Sequence, residues 1–393
     1  MDNASRLQSG RGIAILLASM SALGPFSIDT YLPSFHEIAE KLGASQLEVQ
    51  QTLSIYLLSF AVMTLWHGAI SDRFGRRRVI LIALGLFGLA SVGCMVATSI
   101  EQLWVWRGLQ GISAGAGIVI SRAIVRDLFD GPDAQRLMSQ ITMMFAVAPA
   151  IAPVIGGWLQ TWFGWRSIFT FLVLSTAALW LACWKLLPET LPPERRQSLK
   201  PAYLARTYRK VFSSPPFLLA CAALSFNFAG FFIYVLSAPV FLMKHLGVPE
   251  TGFLWLFGPA MIGLISGSWL SGRLAGKVST SRTIVLGYIV MSCAAVINIG
   301  LNLAFPPGLP WSVAPLLIYT CGMAIAMPSL TLMALDPFTT ERGLAASCQT
   351  FFQSGYNSIV AALVVPVLWG STLSLAAGML GLMALGGLAA YVN

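Results

Sequence analysis

Charge is what this chain has least of. Only 10% of its 393 residues are Asp, Glu, Lys or Arg, against roughly 25% in soluble domains. So few charges cannot clothe a water-soluble globule, and hydrophobic residues reach 56% with a mean hydropathy of +0.76. Histidine occurs three times, as His36, His67 and His245. They stand apart at the ends of apolar runs, and neither H-E-x-x-H nor G-x-x-x-x-G-K-[ST] occurs, so no metal site, cofactor or nucleotide-binding loop is expected. The six cysteines (Cys94, Cys183, Cys221, Cys293, Cys321, Cys348) form no C-x-x-C pair and all fall in apolar runs. They read as small buried hydrophobes, not disulfides or metal ligands. The first apolar run is too long, and lacks the small-residue site, for a cleavable signal peptide.

What remains is a series of apolar segments, each near the roughly 20 residues that a bilayer core requires of a helix. They read as 13–34, 49–70, 79–98, 102–125, 137–160 and 166–187, then 217–243, 252–272, 283–303, 311–334, 343–367 and 371–391. The fold class is therefore an all-α membrane protein of twelve transmembrane helices. A polar stretch with Pro188, Glu189, Pro192, Pro193, Glu194, Arg195 and Arg196 divides them six and six. This predicts an N-terminal bundle over 1–187, a cytoplasmic linker over 188–216 and a C-terminal bundle over 217–393. The net charge of +9 could suggest nucleic acid, but its placement excludes that partner. With the N-terminus inside, twenty basic residues fall on the inner side, among them Arg6, Arg11, Arg122, Arg126, Arg136, Arg342 and the run from Arg195 to Lys210. Only Lys41, Arg107, Arg166 and Lys244 fall toward the outer side. That bias places both termini in the cytoplasm.

Against this background Asp29 stands out, because no other acid lies well inside an apolar segment. A carboxylate there costs several kcal/mol to keep ionised unless it is paired, wetted or protonated. Arg107 is its counterpart of opposite sign. Asp29 lies about 6 Å from the outer end of its segment and Arg107 about 7–8 Å from the same face, at 1.5 Å per residue. A pair between them, or competition for the same waters, is the simplest account of two deep charges.

Other motifs are spread along both halves. Gly68-Ala69-Ile70-Ser71-Asp72-Arg73-Phe74-Gly75-Arg76-Arg77-Arg78 makes a very short inner loop, in which Asp72 is placed to cap a neighbouring helix N-terminus. His67 just before it is expected at the interface. Gly111-Ile112-Ser113-Ala114-Gly115 matches a hydrolase elbow in letters only, since it sits inside an apolar helix where small residues at this spacing pack helices. Ala148-Pro149-Ala150-Ile151-Ala152-Pro153-Val154-Ile155-Gly156-Gly157 should kink or hinge its helix. In the second half Gly267-Ser268-Trp269-Leu270-Ser271-Gly272-Arg273 echoes the Gly68 loop without its acid, which suggests an internal repeat. Polar and aromatic groups that suit a cavity for amphipathic molecules are Tyr31, Tyr56, Phe60, Asn227, Phe231, Tyr234, Gln353, Tyr356 and Asn357.

Together these motifs resemble the major facilitator superfamily. The Gly68–Arg78 loop resembles its loop 2–3 motif, Arg107-Gly108-Leu109-Gln110-Gly111 its fourth-span motif, and Ala148–Gly157 a variant of its antiporter motif. Ser27-Ile28-Asp29-Thr30-Tyr31-Leu32-Pro33, Arg126-Asp127 and Glu189-Thr190-Leu191-Pro192-Pro193-Glu194-Arg195-Arg196 narrow the likeness to the Bcr/CflA branch of bacterial drug:proton antiporters. The resemblance implies a monomeric inner-membrane exporter, with substrate held between two six-helix bundles that alternate between inward- and outward-facing states. It implies Asp29 and Arg107 for proton coupling. Asp72, Arg73, Gly75, Arg76, Pro149, Pro153, Gly156 and Gly157 are then gating residues. Drug and protons are the partners; the alternative cargo is an endogenous nucleoside or amino-acid derivative. A membrane-embedded enzyme would need a catalytic cluster that the sequence lacks.

A cavity holding one deep carboxylate and one deep arginine is near neutral when both are ionised. A dication entering it meets at most one compensating charge. Neutral or zwitterionic compounds of chloramphenicol-like polarity should therefore be exported better than lipophilic dications, with about one proton per neutral molecule. Resistance measured over a graded panel checks this; strong resistance to dications with none to neutral drugs would reveal a second coupling acid.

Overall fold

The computed structural model describes residues 10–129, 131–196, 201–274, 277–338 and 342–393. Arg6 and Lys200 lie outside the described residues, as do the side chains of Arg11, Arg126, Arg136, Arg195 and Arg342. All regular structure among the described residues is helical. The long helices are α1 (Gly10–Asp29), α2 (Gln46–Phe74), α3 (Arg76–Val96), α4 (Ile100–Leu128), α5 (Gly131–Phe163) and α6 (Arg166–Leu186). They continue with α7 (Pro215–Leu236), α8 (Leu254–Leu274), α9 (Thr280–Ala304), α10 (Ala314–Leu335), α11 (Arg342–Ile359) and α12 (Thr372–Val392). Eleven segments among the described residues are long and apolar enough to cross a bilayer. The remaining long helix is α5, most of whose inner-half side chains lie outside the described set.

Local chemistry sets the helix ends. Ser45 and Glu48 form a reciprocal capping box at the start of α2, and Ser371 and Ser374 do the same for α12. Each side chain satisfies a backbone N–H that the first turn leaves without an intrahelical partner. Ser99 and Ser279 cap α4 and α9. Two expectations need correction. The first segment does not run as one helix to residue 34: α1 stops at Asp29, a 3-10 turn covers Leu32–Ser34, and a short helix follows over Phe35–Leu42. Pro33 lacks the amide hydrogen that a continuing helix needs. The residues read as a polar loop thus form an amphipathic helix that buries Phe35, Ile38 and Ala39 while His36 and Glu40 face outward.

The chain divides into two units, 1–204 and 205–393. In the first, α4 packs on α1, α2 and α3, while α1 also packs on α5 and α3 on α6. In the second, α10 packs on α7, α8 and α9, while α7 also packs on α11 and α9 on α12. The schemes match helix for helix, as an internal repeat requires. Both rest on glycine. A Cβ at Gly111 would stand 2.3 Å from the Tyr56 carbonyl oxygen and one at Gly117 2.0 Å from that of Met20. In the second unit, a Cβ at Gly267 would stand 2.3 Å from the Cys321 carbonyl oxygen. Gly111 and Gly115 are therefore packing positions, and Ser113 between them spends its hydroxyl on the Leu109 and Gln110 carbonyls.

The inner rim of the first unit departs from the echo in the second. Gly75 has φ +94°, and a Cβ there would lie 2.3 Å from Glu189 Oε2. Both facts demand glycine. Gly75→Ala should lower stability by about 1–3 kcal/mol, read as a fall in the thermal midpoint of the detergent-solubilised protein. Glu189→Ala in the same chain should restore part of it. An unchanged midpoint in the single variant would contradict the close approach.

Candidate functional site

Arg107 is 0% exposed, the most deeply buried cation among the described residues. Its Nη1 donates to Gln110 Oε1 at 2.8 Å and, more weakly, to the Ser27 carbonyl at 3.4 Å. Its guanidinium carbon lies 4.7 Å from the centre of the Tyr31 ring and 4.5 Å from that of Tyr56. Two aromatic faces thus take the place of a counter-ion. Each holder is itself held. Gln110 donates to Ser91 Oγ at 2.8 Å, Thr52 donates to the Tyr31 hydroxyl at 3.0 Å, and the Tyr56 hydroxyl donates to the Gly24 carbonyl at 3.0 Å. Arg107 Nε and Nη2 find no hydrogen-bond partner among the described residues.

Asp29 is 5% exposed at the last turn of α1. The expected ion pair with Arg107 is not formed, because the tyrosine faces and Gln110 hold the guanidinium away from the carboxyl; both ion pairs among the described residues lie elsewhere. Among the described residues no hydrogen bond reaches the Asp29 side chain either. The C-terminal end of a helix carries partial negative charge, which adds to the cost of an ionised acid there. The glycine motif of α5 meets this point: a Cβ on Gly156 would lie 2.2 Å from the Thr30 carbonyl oxygen. Pro153, Gly156 and Gly157 are buried and Pro149 is half-buried, in a helix that runs unbroken through both prolines.

At the junction of α2 and α3 Arg76 gathers the charges. It pairs with Asp72 at 2.6 Å and with Asp127 at 3.1 Å, and Thr190 donates to the same Asp127 oxygen at 2.9 Å. The helix N-terminus expected to take Asp72 takes Glu189 instead, whose Oε1 accepts the Arg76 amide at 2.9 Å. Asp72 is committed to the Arg76 side chain one turn away. Arg73 points outward over the Phe74 ring at 5.2 Å. Nothing local to the loop marked Glu189 as this partner; only its acid character within the linker motif could have suggested it.

The nine residues proposed to line a cavity separate into groups. Tyr31 and Tyr56 are 0% exposed, being occupied with Arg107. Asn227 and Tyr234 are buried by bonds between helices: Asn227 donates to the Tyr288 hydroxyl at 2.8 Å, and Asn298 donates to the Tyr234 hydroxyl at 2.7 Å. Phe231 is buried on α7. Phe60, Gln353 and Tyr356 are half-buried, and Tyr356 packs edge-on against Phe226 at 5.0 Å. Asn357 is buried with Oδ1 lacking a partner, three residues before a π-helical turn over Val360–Val364. His67, expected at the interface, is buried between α2 and α4. In the second unit, Arg273 stacks on Trp269 at 4.0 Å, as its counterpart Arg73 lies over Phe74.

A sequence profile described as "Major Facilitator Superfamily" matches residues 15–362. The chain belongs to the major facilitator superfamily. Among relatives, it is 33% identical over 354 residues to "Uncharacterized MFS-type transporter YdgK" of Bacillus subtilis (strain 168), spanning 90% of this chain and 88% of the relative. It is also 33% identical over 264 residues to "Bicyclomycin resistance protein homolog" of Haemophilus influenzae, spanning 67% and 66%. Among solved structures, a D-xylose-proton symporter matches with a TM-score of 0.75 at 16% identity, over 96% of both chains. At that identity the last likeness speaks for the fold alone. This superfamily member is a multi-pass membrane transporter, not an enzyme.

The arginine cage makes a test that separates its parts. Tyr56→Phe keeps the ring face and loses one hydroxyl, costing about 1 kcal/mol. Tyr56→Leu removes a face from a buried cation and should cost about 2 kcal/mol or more. Thermal unfolding of the two purified variants checks the order; equal losses would mean that the hydroxyl, not the ring, supports Arg107.

Proposed function

We propose that this transporter exports small neutral or amphipathic antibiotics, of bicyclomycin- or chloramphenicol-like polarity, in exchange for protons by alternating access. The observation that carries the reading is the Asp29 carboxyl, 5% exposed at the negative end of a helix, with no cation bound to it. A group so placed holds a proton more readily than a charge. Arg107 is the competing cation on the neighbouring helix: when Asp29 releases its proton, the arginine can supply compensation by leaving its tyrosine faces. A relative named for bicyclomycin resistance supports the class of cargo. In the second unit Asn227, Gln353, Tyr356 and Asn357 are proposed contacts for it, and in the first unit, taken by itself, Phe60, since each retains exposed surface or an unpartnered polar atom.

The proposed site of action is the bacterial inner membrane, with a monomer, both termini cytoplasmic and six helices on either side of the linker. Asp72, Arg76, Asp127 and Glu189 then form the inner-rim clasp that biases one facing state, with Arg73 beside it. Gly156 and the two prolines of α5 set how closely that helix approaches Asp29.

Efflux from vesicles with an imposed pH gradient tests the reading. Asp29→Asn should fold and bind drug but show no gradient-driven accumulation, because an amide cannot exchange a proton. A variant that still concentrates drug under the gradient would remove Asp29 from coupling. Wild-type vesicles that ignore the gradient, or that move a nucleoside or amino-acid derivative in place of antibiotics, would overturn the proposal itself.

A further inference from the structure

His67 is 4% exposed, and its Nδ1 has no hydrogen-bond partner. The ring also hydrogen-bonds to the backbone of Ile112 on α4. It lies against Gly115, where a Cβ would stand 3.3 Å from Nδ1 and 3.4 Å from Cε1. A bare ring nitrogen at this depth is a proton acceptor left open, since most buried polar atoms are satisfied.

Among the described residues of the first unit, the helices packed on α2 bring no other titrating group level with His67. On α2 nothing charged or titratable occurs between Tyr56 and Asp72, and on α4 nothing between Arg107 and Arg122. On α3, which also packs on α2, residues 79–93 contain none, and α1 contains none between Gly12 and Ile28. The groups that bracket His67 are therefore Asp29, Arg107 and Tyr56 toward the outer side, and Asp72, Arg76, Asp127 and Arg122 toward the inner. Tyr56 is about 16 Å away along α2, and Ser71 about 6 Å on the other side. Ser71 accepts from Arg76 of the rim clasp. His67 is thus the one imidazole on the seam that joins the deep arginine to that clasp.

We infer that His67 is a second proton-binding site of the transporter, taking its proton on Nδ1 when the inner half of α2 moves off Gly115. In the packed state no carboxylate faces the ring and water is shut out, so the neutral ring fits this packing. An imidazolium needs solvent or a partner that only an opened seam supplies. Proton uptake and seam opening are then linked, each favouring the other. The movement would shift Ser71 and Asp72, which sit on the same helix. The step forms one N–H bond at Nδ1 from a solvent hydronium and leaves water behind. This rests on the proton-coupled reading for its role in transport, but not for the titration itself.

With three histidines in the chain, NMR of ring-labelled protein in lipid nanodiscs can follow each, and His67→Gln assigns the signal that disappears. The expected result is a His67 signal that titrates within about pH 4 to 8 and whose titration shifts when the methyl of Gly115→Ala crowds the ring. A His67 signal constant over that range, or one unaffected by Gly115→Ala, overturns the inference. In vesicles, His67→Gln should retain drug binding while flattening the dependence of efflux on internal pH; an unaltered profile overturns its transport role. A wild type whose efflux ignores pH while His67 titrates would instead defeat the coupling proposal and leave the site standing. Should His67→Gln not fold, His67→Asn serves for assignment and efflux alike.

Discussion

A guanidinium with no exposed surface has to be stabilised by something, and the N-terminal unit is arranged around how that is done. Arg107 lies between the faces of Tyr31 and Tyr56 with one strong hydrogen bond to Gln110. Those partners come from α2, from the turn after α1, and from α4 itself. The cage therefore ties α2 and α4 to the turn that follows Asp29. Tyr56 can reach it only because Gly111 lets α2 and α4 approach to backbone contact. Loss of charge compensation at Arg107 would thus be felt in helix packing as well as in the proposed coupling.

Keeping Arg107 satisfied without a carboxylate leaves Asp29 unpaired, and this is the physical basis of the transport reading. A fixed salt bridge would bind both charges in one state and resist exchange. An arginine held by aromatic faces and an acid held by a proton can trade partners at smaller cost. The inner rim follows the opposite logic. Arg76 there engages Asp72 and Asp127, and Glu189 closes on the adjoining helix N-terminus. The second unit repeats the packing, and Arg273 lies over a tryptophan there as Arg73 lies over Phe74 in the first.

Much of this was legible in the sequence because bilayer physics writes it in long apolar runs. Helix number and the two deep charges followed from segment length and the scarcity of acids. The depth count brought Asp29 and Arg107 to the same level, yet it could not tell that tyrosine faces would intervene. Ring orientation depends on packing that spacing does not encode. Glu189 was missed for a related reason: it meets Arg76 across 113 positions of sequence. Asn227 and Tyr234 looked fit for a ligand by residue type; Tyr288 and Asn298 engage them inside the unit, and only Asn227 Oδ1 is left without a hydrogen-bond partner among the described residues. A buried amide looks alike in sequence whether its partner is a helix or a cargo.

The central claim is that Asp29 carries a proton in the state described here and gives it up during exchange. Infrared difference spectroscopy of the reconstituted transporter, through the carbonyl stretch of a protonated carboxylic acid, addresses it directly. The account predicts a buried-acid band in the wild type that is absent from Asp29→Asn and that diminishes when chloramphenicol is added. A wild type without such a band, or a band that persists in Asp29→Asn, would contradict it.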